Sequence, residues 1–169
     1  MALGALEATP WHSAGGLITW QGPCRSEWLD YNGHMNETYY LLVMSWGTDR
    51  IMELIGCDQA YRDSGQGTLY TLETHIRYFR EVKEGQPLQV TTQAIERDAK
   101  RLRLYARTWI EGEDAPVAAA EFLLLHVAGD PPRSAPFGPT MVTCLERLDA
   151  RQAELSQPED AGRGIRLKR

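Results

Sequence analysis

Three cysteines in 169 residues, widely spaced and without a Cys-x-x-Cys pair, exclude a disulfide framework and give no zinc-ligand spacing. Cys24, Cys57 and Cys144 are therefore expected as small buried apolar residues. Apolar runs fall short of the ~20 residues that a membrane span needs, and residues 1–16 hold no basic stretch followed by an apolar one. A cytoplasmic protein is expected. Basic charge is in deficit, with a net charge of −5, which argues against nucleic acid or an anionic membrane as partner. His12, His75 and His126 stand far apart with no acid or cysteine at ligand spacing, so no metal is expected. The absence of a Gly-x-Ser-x-Gly elbow argues against a serine hydrolase.

What is present is 43% apolar content, enough for one globular domain with a proper core. Its pivot is the stretch Trp28-Leu29-Asp30-Tyr31-Asn32-Gly33-His34-Met35-Asn36-Glu37, an acid and a turn placed directly before a long apolar run. Asn36 is a good N-cap, Glu37 suits the positive end of a helix dipole, and Gly56 can close the helix. Between Tyr39 and Trp46 the apolar positions run nearly all the way round, which predicts a buried helix.

Strand patterns surround it. Leu17–Gln21 is short and β-prone, and Thr68–Phe79 alternates with a period of two. Turns at Glu84-Gly85, Asp98-Ala99-Lys100 and Glu111–Asp114 then separate Leu88–Arg97, Leu102–Ile110 and Val117–Val127, which predicts three successive hairpins. A short amphipathic helix is expected at about Met141–Glu154. Residues 1–16 read as a flexible arm, 17–156 as the domain, and 157–169 as a disordered charged tail. One long helix with antiparallel strands predicts an α+β fold, the sheet wrapped around the helix.

Asp30-Tyr31-Asn32-Gly33-His34-Met35-Asn36 before an apolar helix resembles the Asp-x-x-Gly-His-x-Asn signature of hotdog-fold acyl-CoA thioesterases of the 4-hydroxybenzoyl-CoA type. Trp28–Glu37 and Leu72-Glu73-Thr74-His75-Ile76-Arg77-Tyr78 resemble a narrower branch, the betainyl-CoA thioesterases of carnitine breakdown, which also occur fused to carnitine dehydrogenases. The likeness spans about Leu17 to Leu148. It implies a five-stranded sheet, hydrolysis of a small acyl-CoA, no metal or redox cofactor, and a homodimer that can pair again into a tetramer.

On residues alone, Asp30 could simply cap a turn at Asn32-Gly33. The resemblance makes it the catalytic carboxylate, either a nucleophile on the thioester carbonyl or a base for water. The oxyanion donor it implies is backbone N–H near Asn36 and Glu37. Gly33 would let the loop bring Asp30 and the thioester together. His34 and Asn36 either position Asp30 and the lytic water or merely pack and cap.

Glu73 and His75 share one side of a strand, as a solvated or subunit-facing pair or as a pocket wall. Arg101, Arg103 and Arg107 alternate on another strand, either solvated or as a basic patch for coenzyme A phosphates, with Arg103 the chosen contact. Trp28 and Tyr31 flank Asp30 and are candidate rings for a trimethylammonium acyl group.

Overall fold

The computed structural model describes residues 2–167; Met1 of the expected arm and Lys168 and Arg169 of the expected tail lie outside the described residues. In chain order the elements are α1 (Ala2–Ala8), β1 (Trp11–His12), β2 (Gly16–Pro23), a 3-10 turn (Ser26–Trp28), α2 (Glu37–Leu54), α3 (Gln59–Asp63), β3 (Thr68–Tyr78), β4 (Pro87–Arg97), β5 (Arg101–Ile110), β6 (Ala118–Ala128), β7 (Arg133–Ser134) and α4 (Pro139–Arg151).

The helix start and stop follow the sequence signals. Asn36 caps α2, and Gly56, at φ 86°, follows its C-cap Ile55 in the left-handed conformation that ends helices. The expectation of a helix buried on all sides needs correction. Tyr40, Val43, Met44, Gly47, Thr48, Ile51 and Leu54 form one buried stripe, while Leu42 is exposed and Leu41 and Trp46 are half-buried. Composition counted the apolar residues but could not say which of them the sheet covers. At Gly47 the helix rides so close to the sheet that a Cβ would come within 2.7 Å of Thr19 Oγ1 and 2.9 Å of Val90 Cγ1.

Among the described residues the sheet is antiparallel and has seven strands, not five, in the order β1-β2-β4-β5-β6-β3 with β7 added on β6. Five are long; β1 and β7 are two-residue pairings too short to show as periodicity. Only β4-β5-β6 forms the expected succession of hairpins. β3 pairs with β6, from Thr68↔Val127 to Tyr78↔Ala118, and β2 takes the place beside β4. Alternation identifies a strand and not its neighbour. Glu84-Gly85 therefore does not close a hairpin; residues 79–86 carry the chain from one side of the sheet to the other. This crossing is held by Val82, which is fully buried and whose carbonyl accepts from Met35 N at 2.8 Å.

The described part of the expected arm, residues 2–16, is not loose. Leu6 is buried in the core, Arg151 donates to the carbonyls of Leu6 and Thr9, and Trp11 and His12 pair with Leu17 and Gly16. The start of the tail, residues 157–162, is likewise anchored on the sheet face turned away from α2. Tyr105 Oη donates to Asp160 at 2.6 Å, Arg77 bonds the same carboxylate, and Gly162 N donates to Glu121 at 2.7 Å. Both segments are held by long-range polar contacts, which local composition does not encode. α4 buries Met141, Cys144, Leu145 and Leu148 at helical spacing, and all three cysteines are buried and free.

Candidate active site

The loop before α2 closes on itself. Asp30 N donates to His34 O at 2.8 Å, Gly33 N to Asp30 O at 3.0 Å, and an antiparallel bridge joins Leu29 to Met35. Gly33 adopts φ 75° while a Cβ there would meet open space, so it is the left-handed backbone of the turn that calls for glycine. Asn36 N then donates to Trp28 O at 2.9 Å, which fixes the angle at which the chain enters the helix.

Within this turn the two oxygens of Asp30 differ. Oδ1 accepts from Asn32 N at 2.8 Å and lies 3.4 Å from His34 N, the turn-capping arrangement. Oδ2 accepts no hydrogen bond among the described residues, and the residue is half-buried. One oxygen therefore holds the loop while the other remains free to react. Asn36 uses its side-chain oxygen on Thr38 N at 3.0 Å and Thr38 Oγ1 at 2.7 Å, the cap geometry. The next backbone donor, Glu37 N–H, meets no acceptor among the described residues, as expected of a first-turn amide.

A cavity of about 340 Å³ opens at this end of α2, lined by Asp30, Glu37, Tyr40, Tyr78, Phe79 and Glu81 among others. Tyr40 donates to Arg80 O at 3.2 Å and meets the edge of the Tyr78 ring at a centroid distance of 5.4 Å. Burial pushes the Tyr40 hydroxyl up to about 12, and burial with the nearby Glu37 raises that of Tyr78, so both rings stay neutral at physiological pH. Arg80, which also lines the cavity, donates to Glu113 at 2.6 Å and Ala115 O at 3.0 Å.

The structure thus groups Asp30, Gly33, Asn36 and Glu37 as the sequence does, and sorts the other expected residues elsewhere. His34 lies beside the cavity, its ring nitrogen 4.0 Å from Glu81. Tyr31 points into solvent, 96% exposed. Trp28 is 3% exposed and packed, stacked on Tyr39 at 5.5 Å, tilted against Trp20 and Trp46, and covered by the Arg25 guanidinium at 5.2 Å. Its ring faces are occupied, which corrects its choice as an open substrate-binding ring.

Glu73 and Arg103 line a different cavity of about 280 Å³, with His75, Glu121 and Arg163, on the sheet face away from α2. Arg103 is bonded to Glu121 and to Glu96 at 3.0 Å, Arg101 to Asp98 at 2.7 Å, and Arg107 stands over the Tyr105 ring at 4.6 Å. The alternating arginines are paired or stacked, which removes them as an open patch for phosphates.

Met35, Tyr40, Tyr78, Phe79, Arg80 and Glu81 are cavity residues that sequence reasoning did not select. Tyr78 closes the stretch Leu72–Tyr78 that carried the second resemblance, which was a usable signal; Glu81 lies in the crossing segment and gave none. Among the described residues no group of three His, Cys, Asp or Glu is placed to hold a metal, and no helix is long and apolar enough to cross a membrane.

Comparison with known proteins shows the family. The chain is 42% identical over 151 residues to a betainyl-CoA thioesterase of Pseudomonas aeruginosa, covering 89% of this chain and 95% of that one. It is 41% identical over 140 residues to an L-carnitine dehydrogenase/betainyl-CoA thioesterase of Ruegeria pomeroyi, covering 83% of this chain but 28% of that longer protein. A Staphylococcus aureus protein solved in complex with CoA superimposes with a TM-score of 0.84 at 25% identity, covering 94% of this chain and 100% of the other. The family model of the thioesterase-like superfamily matches residues 24–144, around the cavity and most of the sheet, and the chain belongs to that superfamily.

Proposed function

We propose that this protein hydrolyses an acyl-CoA thioester, with betainyl-CoA the substrate, releasing betaine and free coenzyme A in carnitine breakdown. The observation that carries the reading is the free Oδ2 of Asp30 in a cavity at a helix start whose Glu37 N–H is unpaired. The carboxylate either attacks the carbonyl, expelling the CoA thiolate and leaving a mixed anhydride for water to cleave, or takes a proton from the water that attacks. In both routes negative charge grows on the carbonyl oxygen, where the α2 N-terminal amide stabilises it by ~3 kcal/mol. Residues 17–156 form the catalytic unit, no metal or redox cofactor takes part, and the protein works in the cytoplasm.

The names of the relatives support the acyl group and the pathway, and the CoA complex of the Staphylococcus aureus protein supports the carrier. A homodimer belongs to the same reading, and two such dimers can associate into a tetramer. β3 is a sheet edge of eleven residues, paired to β6 on one side alone, and Tyr70, Leu72, Tyr78 and Phe79 on or beside it are exposed. Edges of this length are normally covered, and a second copy of the chain covers this one while walling in the cavity that Tyr78 lines.

The test is a panel of acyl-CoA compounds, with thiol release followed by colour. Betainyl-CoA is expected to have the highest kcat/KM. A higher value for an aromatic or straight-chain acyl group would reassign the substrate, and binding without thiol release from any member would overturn the enzyme assignment.

A further inference from the structure

We propose that the acyl end of the Asp30 cavity is a trimethylammonium site built by the Tyr78 ring with the carboxylates of Glu37 and Glu81, the buried Tyr40 backing that ring. This rests on the thioesterase reading and names the groups that choose its acyl chain. Three kinds of observation meet here.

The first is the lining. Tyr40 comes from the first turn of α2, and Tyr78 and Phe79 from the end of β3, so their rings border one cavity together with Asp30. Tyr78 is 46% exposed, and its hydroxyl lies 3.3 Å from the Glu37 carbonyl. That contact, with the Tyr40 ring packed nearly perpendicular to it, fixes the ring and leaves part of its surface open. Neutral rings offer a negative face that attracts a cation without a hydrogen bond, and a quaternary ammonium can form no hydrogen bond. Phe79 contributes less, because the Arg77 guanidinium lies 5.3 Å from its centroid.

The second is charge. Glu37 and Glu81 make no ion pair with a lysine or arginine among the described residues, and the guanidinium of Arg80 is spent on Glu113. Acids beside the reacting bond are an odd choice for coenzyme A, whose phosphates they repel. A neutral acyl group would also have to strip water from these carboxylates with nothing to offset the cost. A cationic acyl group removes both objections.

The third is exclusion. Trp28 has its faces covered by Tyr39 and Arg25, and Tyr31 stands clear of the cavity in solvent. The rings nearest Asp30 in sequence are therefore not the ones that line its cavity.

The experiment compares kcat/KM for betainyl-CoA with that for its neutral isostere 3,3-dimethylbutanoyl-CoA, each divided by its own rate of base hydrolysis in water. The corrected ratio for the native enzyme is expected to be about thirtyfold in favour of the cation. Tyr78→Leu is expected to lower it about tenfold, Tyr78→Phe to restore most of it because the ring returns, and Glu81→Gln to lower it a few fold. Glu81 is an exposed residue whose replacement does not threaten folding, so the assignment stays testable if Tyr78→Leu fails to fold. Trp28→Leu is expected to move the ratio less than about twofold. A native ratio near one overturns the site while leaving the thioesterase standing. A ratio that survives Tyr78→Leu and Glu81→Gln, or falls only in Trp28→Leu, overturns the choice of residues. Failure to hydrolyse either compound overturns the betainyl-CoA assignment and this site with it.

Discussion

Two cavities flank the same edge strand, β3, and are of similar size, about 340 Å³ at Asp30 and about 280 Å³ at Glu73 and Arg103. Both are rich in acids, yet the acids are used differently. Around the second cavity the arginines of the sheet are matched, Arg103 by Glu121 and Glu96 and Arg77 by Asp160, which Tyr105 also bonds, while Glu73 stands without an ion pair among the described residues. At Asp30 the acids are left over, with Oδ2 and Glu37 free of partners among the described residues, and the guanidinium in the lining, that of Arg80, is bonded to Glu113. Matched charge on a sheet face is what anchors a chain segment. Unmatched charge held in place by backbone bonds is available for chemistry.

The largest effect expected from breaking this contrast comes from the edge they share. Leu72→Lys places a charge on the exposed edge of β3 and is expected to shift the sedimentation mass toward the 19.1 kDa of one chain. It should also reduce kcat/KM about a hundredfold, a change of about 2.7 kcal/mol, if the proposed partner subunit walls the Asp30 cavity. The anchor on the far face lies within one chain, so protection of the Tyr105 region from hydrogen exchange should persist. Full activity in a monomer would break the comparison.

Gly33→Ala tests whether turn shape alone holds the reactive acid. The space is open, so the penalty is that of the left-handed backbone, ~1–2 kcal/mol in urea unfolding, with kcat lowered several fold. An unchanged stability would show that the turn tolerates a side chain.

Arg103→Ala asks the opposite question of the second cavity. It should cost ~1 kcal/mol of stability, since the pair is partly solvated, and leave KM for the acyl-CoA within about twofold. A large rise in KM would return Arg103 to the phosphate-binding role suggested by the sequence.

The smallest effect concerns pH. Burial works to raise the Asp160 carboxyl, but the bonds from Tyr105 and Arg77 outweigh it and hold the group below its ordinary value. A carboxyl lowered on folding stabilises the protein above its unfolded pKa of about 3.9, and that contribution disappears as pH falls through the lower folded value. The Tm gap between the native protein and Asp160→Asn should therefore begin to shrink as pH falls toward the unfolded pKa and go on closing through the lower folded value. A gap that widens on acidification would contradict the anchoring of the tail.

The parts legible in the sequence were those written locally. The cap at Asn36, the stop at Gly56 and the turn at Gly33 each depend on a few adjacent residues, and the alternation of Thr68–Tyr78 announces a strand. The parts that were not legible depend on distant partners. Trp28 sits beside Asp30 in the chain and looked available, but Tyr39 and Arg25 occupy its faces in space. Arg103 looked like a free cation because Glu121 is on another strand. Glu81 belongs to a segment that read as a hairpin turn and instead crosses the end of α2 to reach the cavity. Residues 1–16 lacked any period, yet Arg151 ties their carbonyls to α4.

The central claim is that Asp30 performs the chemistry while its backbone contacts only hold the loop. Asp30→Asn separates the two, because the amide oxygen can still accept from Asn32 N and keep the turn. With saturating betainyl-CoA and thiol release as the readout, kcat is expected to fall at least about a hundredfold, with Tm and substrate binding retained. Retention of more than about a tenth of the native kcat, a loss under ~1.4 kcal/mol, would contradict the account.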